Sequence, residues 1–315
     1  AEVGGDALAR TIVHKDSEGF LRWQASRSIA QLGSSVGHGA SSSLAQCLLQ
    51  RKPGQPGADE YVRCGVAATL GQIGEASGKV GASALARALE SETSESVRQR
   101  LAESIGLLGA ERHTGDVGVQ ALVKALGRRD EALYVKLRSI EALGQFGIHI
   151  GEAGALALAK AVATDKEDSI RLRAAAALGN CGDAAGEKGV QALQRAKQKD
   201  QRLSVREEAA RSLELLRAAC LQTLHEFACS SLPDRSDSAH TFARGRAVRM
   251  LGLLGALADE RCVEALSACL LEDPDIYMRR RAAEAFGSLG VSAGDLGALA
   301  LRRAADEDED VYVQW

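Results

Sequence analysis

The chain has 315 residues, of which 33 are Gly and four are Pro, and only 3% are aromatic. A large β-sandwich or β-barrel would need more aromatic and β-branched residues. The 26% of charged residues, balanced to a net charge of −3, argue against disorder and against bulk attraction to nucleic acid or anionic lipid. The sequence has no apolar stretch long enough to span a membrane and no visible signal peptide. Its seven Cys form no C-x-x-C pair, so we predict an intracellular, reducing compartment rather than secretion.

A short phrase recurs along the chain at intervals of 35–41 residues. It consists of Val-Arg, six residues, Leu-Gly, two residues and a final Gly, as in residues 62–74. Such a period indicates one supersecondary unit repeated in tandem. In chain order the basic residue of each copy is Arg22, Arg63, Arg98, Lys136, Arg171, Arg206, Arg244 and Arg279, and a ninth copy begins at Val313.

Each unit is predicted to contain two helices. In the phrase at 62–74 the apolar residues Val66, Ala67, Leu70 and Ile73 fall on one helical stripe. A shorter helix with an Ala-Leu signature precedes the phrase, and one such hairpin cannot bury its stripe alone. The final glycine of the phrase is expected to end the second helix in the left-handed conformation. These glycines are Gly74, Gly109, Gly147, Gly182, Gly255 and Gly290.

A second glycine of the phrase lies inside the last turn of the predicted helix. Glycine there costs up to about 1 kcal/mol relative to alanine, so its recurrence predicts that a neighbouring helix backbone passes close by. These glycines are Gly71, Gly106, Gly144, Gly179, Gly252 and Gly287.

The connections between helices have two patterns. Acidic residues precede the phrase, where they are placed to cap the next helix and meet its positive end, namely Glu92, Glu95, Asp130, Asp165, Asp168, Asp273 and Asp275. Paired glycines follow the phrase, and because they recur with the repeat and match no phosphate-binding motif, we interpret them as turns in a lengthened loop. These pairs are Gly78/Gly81, Gly115/Gly118, Gly151/Gly154, Gly186/Gly189 and Gly294/Gly297.

Two places break the pattern. After Leu213 both expected glycines are replaced, by Glu214 and Arg217, and the sequence stays helical in character until Pro233. The junction near 214–243 is therefore either a degenerate repeat or a change of superhelical pitch that divides the array, and the second helix either runs on into the next helix or turns differently. An insertion at 51–60 carries two of the four prolines and is predicted to be an exposed loop.

With these features the sequence resembles HEAT repeats, in particular the short phycobilin-lyase-like subclass with the pattern D-x-x-V-R-x-x-A-A-x-x-L-G. The best matches run from 168 to 179 and from 275 to 287. The resemblance implies an all-α fold, a right-handed α-α superhelix of about eight helix pairs plus a partial ninth, as a single HEAT-like array over 1–315. It further implies that the second helices line a concave side and that the acidic and arginine columns form a ladder between units.

The sequence predicts no catalytic constellation, no cofactor and no metal site. His225 and Cys229 are four residues apart on a predicted helix, but zinc needs three or four ligands. Cys181, Cys262 and Cys269 fall on apolar faces and are predicted to be buried in the core.

A polar column lies three residues after the first residue of each phrase, with a second column seven residues further on. If the second helices line the concave side, these columns form two basic runs there, and we predict that they bind a partner. The alternative is a solvated face balanced by Glu103, Glu141 and Glu284. The predicted partner-binding residues are Arg100, Arg138, Arg173, Gln145, Asn180, Arg246, Arg249 and Arg281.

Function is predicted from this surface. We expect a non-enzymatic scaffold, adaptor or peripheral subunit of a larger assembly, whose partners are other proteins with acidic surfaces and not nucleic acid. The alternative, from the resemblance, is a phycobilin chromophore lyase or its accessory subunit. The chain begins with Ala and neither end has a polar cap, so we expect either a longer native chain or end-to-end contacts with partners.

Overall fold

The computed structural model describes residues 2–14, 18–50, 59–110, 115–229 and 238–314. Throughout these ranges the regular structure consists of α-helices and short 3₁₀ turns, with no strand, as the sequence predicts. The chain divides into two compact units, Ala1–Ala177 and Leu178–Trp315. The insertion predicted to be an exposed loop lies almost wholly outside the described residues, as does the segment around Pro233.

The first unit is a stack of helical hairpins. Its first helices pack side by side in one layer, and its second helices do so in another. The hairpins are formed by α1 (Glu2–Val13) and α2 (Gly19–Leu32), α3 (His38–Leu49) and α4 (Glu60–Gln72), α5 (Gly78–Ser91) and α6 (Glu95–Ala110), and α7 (Gly115–Gly127) and α8 (Leu133–Gln145). They are followed by α9 (Gly151–Thr164) and α10 (Asp168–Gly179), whose last two residues belong to the second unit.

The core between the two layers is made of small and medium-sized side chains. Val66, Leu70, Leu85 and Ile105 are completely buried, and they belong to the predicted apolar stripes. Burying a side chain of this size stabilises the fold by about 1.5–3 kcal/mol. Because one hairpin offers only a few such residues, stability depends on stacking with its neighbours.

Close approach of neighbouring second helices explains the glycine inside the last turn. A Cβ at Gly106 would lie 2.8 Å from the Cα of Ala142, and one at Gly71 would lie 2.9 Å from the Cα of Ser104. The prediction is also confirmed at Gly144, Gly179 and Gly252. Gly287 differs, since a Cβ there would have no atom of the described chain within 4 Å.

The final glycine of the phrase leads into a 3₁₀ turn. Gly74, with φ of 53°, ends the second helix, and Gly78, with φ of 55°, begins the next first helix. The positive φ of a left-handed residue is found at Gly74, Gly147, Gly182, Gly255 and Gly290, but at Gly290 the ψ of −127° lies outside the left-handed helical region. The prediction is wrong at Gly109, which lies inside α6, where the ring of Phe146 packs so closely that no Cβ would fit.

The predicted lengthened loop after the phrase is also wrong. The first glycine of each pair starts the next helix, and the second lies within its first turn. Gly81, for example, is buried against Leu70 and Ser77. Gly118, Gly154, Gly189 and Gly297 likewise lie in the first turn of their helices.

The second unit continues with stacked helices after the end of α10. In chain order they are α11 (Gly186–Lys199), α12 (Leu203–Cys229), α13 (Ser238–Leu253), α14 (Glu260–Glu272), α15 (Ile276–Leu289), α16 (Gly294–Glu307) and α17 (Val311–Gln314). Here α13, α15 and α17 pack successively, as do α12, α14 and α16.

The continuous helix α12 is the main irregularity. It runs for 27 residues through the positions at which other copies carry their two glycines, so the second helix of one repeat continues directly into the next predicted first helix. The pattern of residues was compatible with a turn or with a continuous helix, and the helix is continuous.

One consequence is the direction of α13. Arg246 and Arg249 of α13 pair with Asp183 and Glu187, and Gln194 donates a hydrogen bond to the carbonyl of Leu253. As the residue number rises from Asp183 to Gln194, the number of the contacted residue rises from Arg246 to Leu253. The helices α11 and α13 therefore run parallel to each other. Since α11 and α12 form an antiparallel hairpin, α13 is antiparallel to α12. It carries the sequence of a second helix but runs in the direction of a first helix.

Candidate binding surfaces

The phrase arginines form a structural ladder. Arg98 donates hydrogen bonds to the carbonyl oxygens of Glu92 and Thr93 in its own loop, at 3.3 and 2.7 Å, and to the carboxylate of Glu131 in the next loop. Arg279 does the same with Asp273, Pro274 and Asp308. The ladder implied by the resemblance is confirmed within each unit by the pairs Arg63–Glu92, Arg98–Glu131, Arg244–Asp273 and Arg279–Asp308.

The acids of the ladder are buried or half-buried. Burial raises the pKa of Glu92, but hydrogen bonds from the Ser94 N–H and from Arg63 outweigh it, so the pKa is below its usual value. Asp130, which was predicted to cap the next helix, is exposed. The adjacent Glu131, which was not predicted, is buried and pairs with Arg98 in the ladder. Asp275 caps α15 by accepting a hydrogen bond from the Tyr277 N–H, as predicted. These side chains hold the repeats together.

The predicted basic run of the first unit lies on the surface. The side chains of Arg100, Arg138 and Arg173 are 46%, 51% and 59% exposed. Arg100 pairs with Glu103 at 2.8 Å, and Arg138 with Glu141 at 2.8 Å, while Arg173 lies 3.7 Å from Glu141. Gln145, on the same helix as Arg138, is also exposed. We call Arg100, Arg138 and Arg173 the arginine strip. Glu103 and Glu141, which would balance its charge if this were only a solvated face, lie among these arginines.

The predicted residues of the second unit are divided between different surroundings. Arg249 and Arg281 line a cavity of about 280 Å³ between α11, α13 and α15. Glu187 and Glu284 also line it, and Leu253 contributes apolar surface. Both arginines are paired with these acids, at 2.7 and 3.3 Å. The cavity is thus lined by two cations and two anions.

Arg246 and Asn180 lie elsewhere. Arg246 sits 2.8 Å from Asp183, which is 7% exposed, because the reversed α13 passes over the turn that follows α10. Burial raises the pKa of Asp183, and the guanidinium of Arg246 opposes that rise. Asn180 is exposed at the end of α10, outside the cavity lining.

Three cysteine thiols were predicted to lie in the core. Cys181 and Cys262 are buried, as predicted, and Cys269 is half-buried. Burial raises the pKa of Cys181 to about 12 and those of Cys262 and Cys269 to about 11, so these groups are protonated at neutral pH.

Neither a metal-binding cluster nor a membrane-spanning helix is found in the part of the chain that the structure describes. No group of three or more His, Cys, Asp or Glu is placed to hold a metal ion there. His225 is exposed, and the side chain of Cys229 lies outside the described residues. None of the helices found in those residues has the length and apolar character needed to cross a membrane.

Sequence reasoning missed an aromatic column. The residue directly before the phrase is aromatic in six of nine copies, and these side chains are 45–78% exposed. The remaining copies carry Ser96, Ser169 and Ser204. The signal was visible in the sequence, since the column contains every tyrosine of the chain. Its members are Phe20, Tyr61, Tyr134, Phe242, Tyr277 and Tyr312.

A model of a known repeat family matches part of the chain. The family model for HEAT repeats matches residues 119–214. No curated protein matches the sequence significantly.

Solved structures with a similar fold cover most of the chain. A Kap95:Nup1 complex matches with a TM-score of 0.52 and 12% identity, over 99% of this chain and 45% of that chain. Human deoxyhypusine hydroxylase in complex with glycerol matches with a TM-score of 0.37 and 21% identity, over 91% and 96%. A designed armadillo repeat protein in complex with the peptide (KR)4 matches with a TM-score of 0.48 and 17% identity, over 67% and 98%. At these identities the likeness concerns the fold alone, and within each unit the chain is an all-α solenoid of stacked hairpins.

Proposed function

We propose that this chain is a protein-binding scaffold without catalysis of its own, which holds a partner against the exposed face of its second helices. The observation that carries the proposal is the arginine strip. Three consecutive second helices, α6, α8 and α10, present an arginine at the same position of the repeat, and all three side chains are about half exposed.

The ion pairs of the strip are of the weak, exchangeable kind. Arg100–Glu103 and Arg138–Glu141 join residues three apart on one helix surface, where such pairs contribute about 0–1 kcal/mol. A partner carboxylate can therefore replace the intramolecular glutamate at little cost. The ladder arginines are unsuited to this role, because their carboxylates are buried.

An acidic protein surface is the partner that this chemistry favours. Arginine forms bidentate hydrogen bonds with carboxylates, and a column of arginines at one repeat spacing gives such contacts a register. The net charge of −3 and the interleaved glutamates argue against the phosphate backbone of a nucleic acid.

The test compares two charge-reversed variants of the full chain. We expect Arg138→Glu with Arg173→Glu to abolish binding of the partner that co-purifies with the wild type, with an unchanged helical circular dichroism spectrum. The matched control is Arg87→Glu with Lys160→Glu, on exposed positions of α5 and α9 in the same unit. Retention of the same partner by the first variant, measured by quantitative mass spectrometry, would contradict the proposal.

The phycobilin-lyase alternative stays a prediction from the resemblance. A new absorbance band after mixing the purified chain with a bilin would support it over the scaffold.

A further inference from the structure

The aromatic column is continuous over the last three repeats of the second unit. Phe242, Tyr277 and Tyr312 occupy the same repeat position on α13, α15 and α17 and are 62%, 45% and 74% exposed. The ring of Tyr277 lies against Gly245, one helical turn from Phe242 on α13, with its Cε1 atom 3.2 Å from where a Cβ would sit. The absence of a side chain at Gly245 thus lets a tyrosine from the next repeat lie against α13.

Guanidinium groups cover each ring of this column. The Cζ atom of Arg246 lies 4.9 Å from the ring centre of Phe242, and that of Arg281 lies 5.0 Å from Tyr277. Arg280 stacks at 4.5 Å on Tyr312 of the next repeat. These distances fall within the range of cation–π contacts. Rings and guanidinium planes therefore alternate across three helices.

The charge that this surface presents outward is cationic beside Phe242 and Tyr312. Arg246 and Arg280 are 35% and 41% exposed, whereas their partners Asp183 and Asp310 are only 7% and 16% exposed, so a ligand meets the guanidinium edges first there. Beside Tyr277 the charge is mixed, because Arg281 is 30% exposed and its partner Glu284 is 67% exposed.

The packing of these helices favours one conformation of the ligand. Because α13, α15 and α17 pack successively and packed helices lie about 8–10 Å apart, we expect a similar interval between successive rings. A polyproline II helix repeats every three residues, or about 9 Å, and needs little ordering on binding. Prolines at every third residue can therefore stack on successive rings, while acidic residues between them meet the guanidinium groups.

We propose that Phe242, Tyr277 and Tyr312, with Arg246, Arg280 and Arg281, form a docking surface for a proline-rich acidic segment of a partner protein in the polyproline II conformation. This inference deepens the proposed scaffold function and rests on it, but it concerns a surface separate from the arginine strip. The contact of Tyr277 with Gly245 carries it, because that contact places the ring of α15 on α13, one helical turn from Phe242.

The experiment uses a fluorescein-labelled peptide (Pro-Pro-Glu)4 and the full chain, followed by fluorescence anisotropy at low salt. We expect it to bind at least about tenfold more tightly than (Gly-Gly-Glu)4, which has the same charge without proline rings, and than (Pro-Pro-Lys)4. Equal binding of the glycine peptide would overturn the proposal. So would tighter binding of a dT12 oligonucleotide, since aromatic and arginine platforms also stack bases.

Variants locate the site. We expect Tyr277→Ala to weaken (Pro-Pro-Glu)4 binding about tenfold, and Tyr277→Phe to stay within about threefold of the wild type. Tyr134→Ala is the matched control, because it removes an exposed tyrosine at the same repeat position whose neighbouring copies carry Ser96 and Ser169. A loss at Tyr134 equal to that at Tyr277, or no loss at Tyr277, would overturn the inference. The proposed function would still stand on its own test with Arg138 and Arg173.

Discussion

Gly106 and Gly287 occupy the same position of the repeat, yet their surroundings differ. Ala142 of the next second helix faces Gly106, whereas nothing in the described chain lies within 4 Å of a Cβ at Gly287. Both residues are inside helices, where alanine is intrinsically preferred by about 1 kcal/mol. The effect of an added methyl group is therefore expected to have opposite signs at the two sites.

The first prediction compares these two glycines. Gly106→Ala should lower the free energy of unfolding by about 1–2 kcal/mol, because the clash with the α8 backbone outweighs the gain in helix propensity. Gly287→Ala should raise it by up to about 1 kcal/mol. Urea denaturation followed by circular dichroism measures both, and a stabilised Gly106→Ala would disprove the close approach of α6 and α8.

The second prediction concerns the pH dependence of the ladder. The pKa of Glu92 is lowered in the folded state, so its stabilising contribution is fully present above its unfolded value of about 4.3 and is lost as the pH falls through the lowered pKa. Glu92→Gln leaves Arg63 without its buried anion, so we expect it to cost about 3 kcal/mol at pH 7. The difference from the wild type should shrink towards pH 2.

Urea titrations at several pH values provide the measurement. Glu103→Gln serves as control, because Glu103 is 41% exposed and its pair with Arg100 is worth less than about 1 kcal/mol. A deficit for Glu92→Gln that stays constant from pH 7 to pH 2 would exclude a charged role for this residue.

At the scale of the element, α12 shows what the repeat glycines do when they are missing. Glu214 and Arg217 replace them, and Arg217 instead pairs with Glu214 and with Asp259, the N-cap of α14. The helix has no residue that would end it at this point, and it continues to Cys229. The direction of α13 follows from this continuity.

The third prediction restores the two glycines. Glu214→Gly with Arg217→Gly should cost about 2 kcal/mol, because each glycine in a helix interior costs about 1 kcal/mol. Hydrogen exchange should become faster in residues 218–226. Glu214→Ala with Arg217→Ala keeps the helix and removes only the ion pairs. If exchange is equally slow in both variants, the missing glycines do not explain the continuous helix.

At the scale of the whole molecule, the sequence is most informative where the repeat is regular. The apolar stripe of Val66 and Leu70, the glycine contacts and the arginine ladder all follow from periodicity, and the structure confirms them within each unit. The single array over 1–315 stays a prediction, since the two units are described separately.

The rest could not be predicted because it depends on three-dimensional context. The burial of Arg246 against Asp183 results from the reversed α13, and sequence alone left open whether α12 turns or runs on. Gly109 has the repeat glycine without the left-handed turn, because its role is to make room for Phe146. The aromatic column was visible as a pattern, but only the structure shows that the ring of Tyr277 lies against Gly245 of the preceding repeat.

The ladder also limits how repeats can be gained or lost. Each phrase arginine of the described rungs finds its acid in the following loop, so a cut at an arbitrary point would strand a buried guanidinium on one side and a carboxylate on the other. A deletion from one phrase arginine to the next, for instance of residues 63–97, rejoins an arginine to an equivalent loop. Shortened or lengthened versions of this protein should therefore fold only when the deleted or inserted segment runs from one phrase arginine to the next.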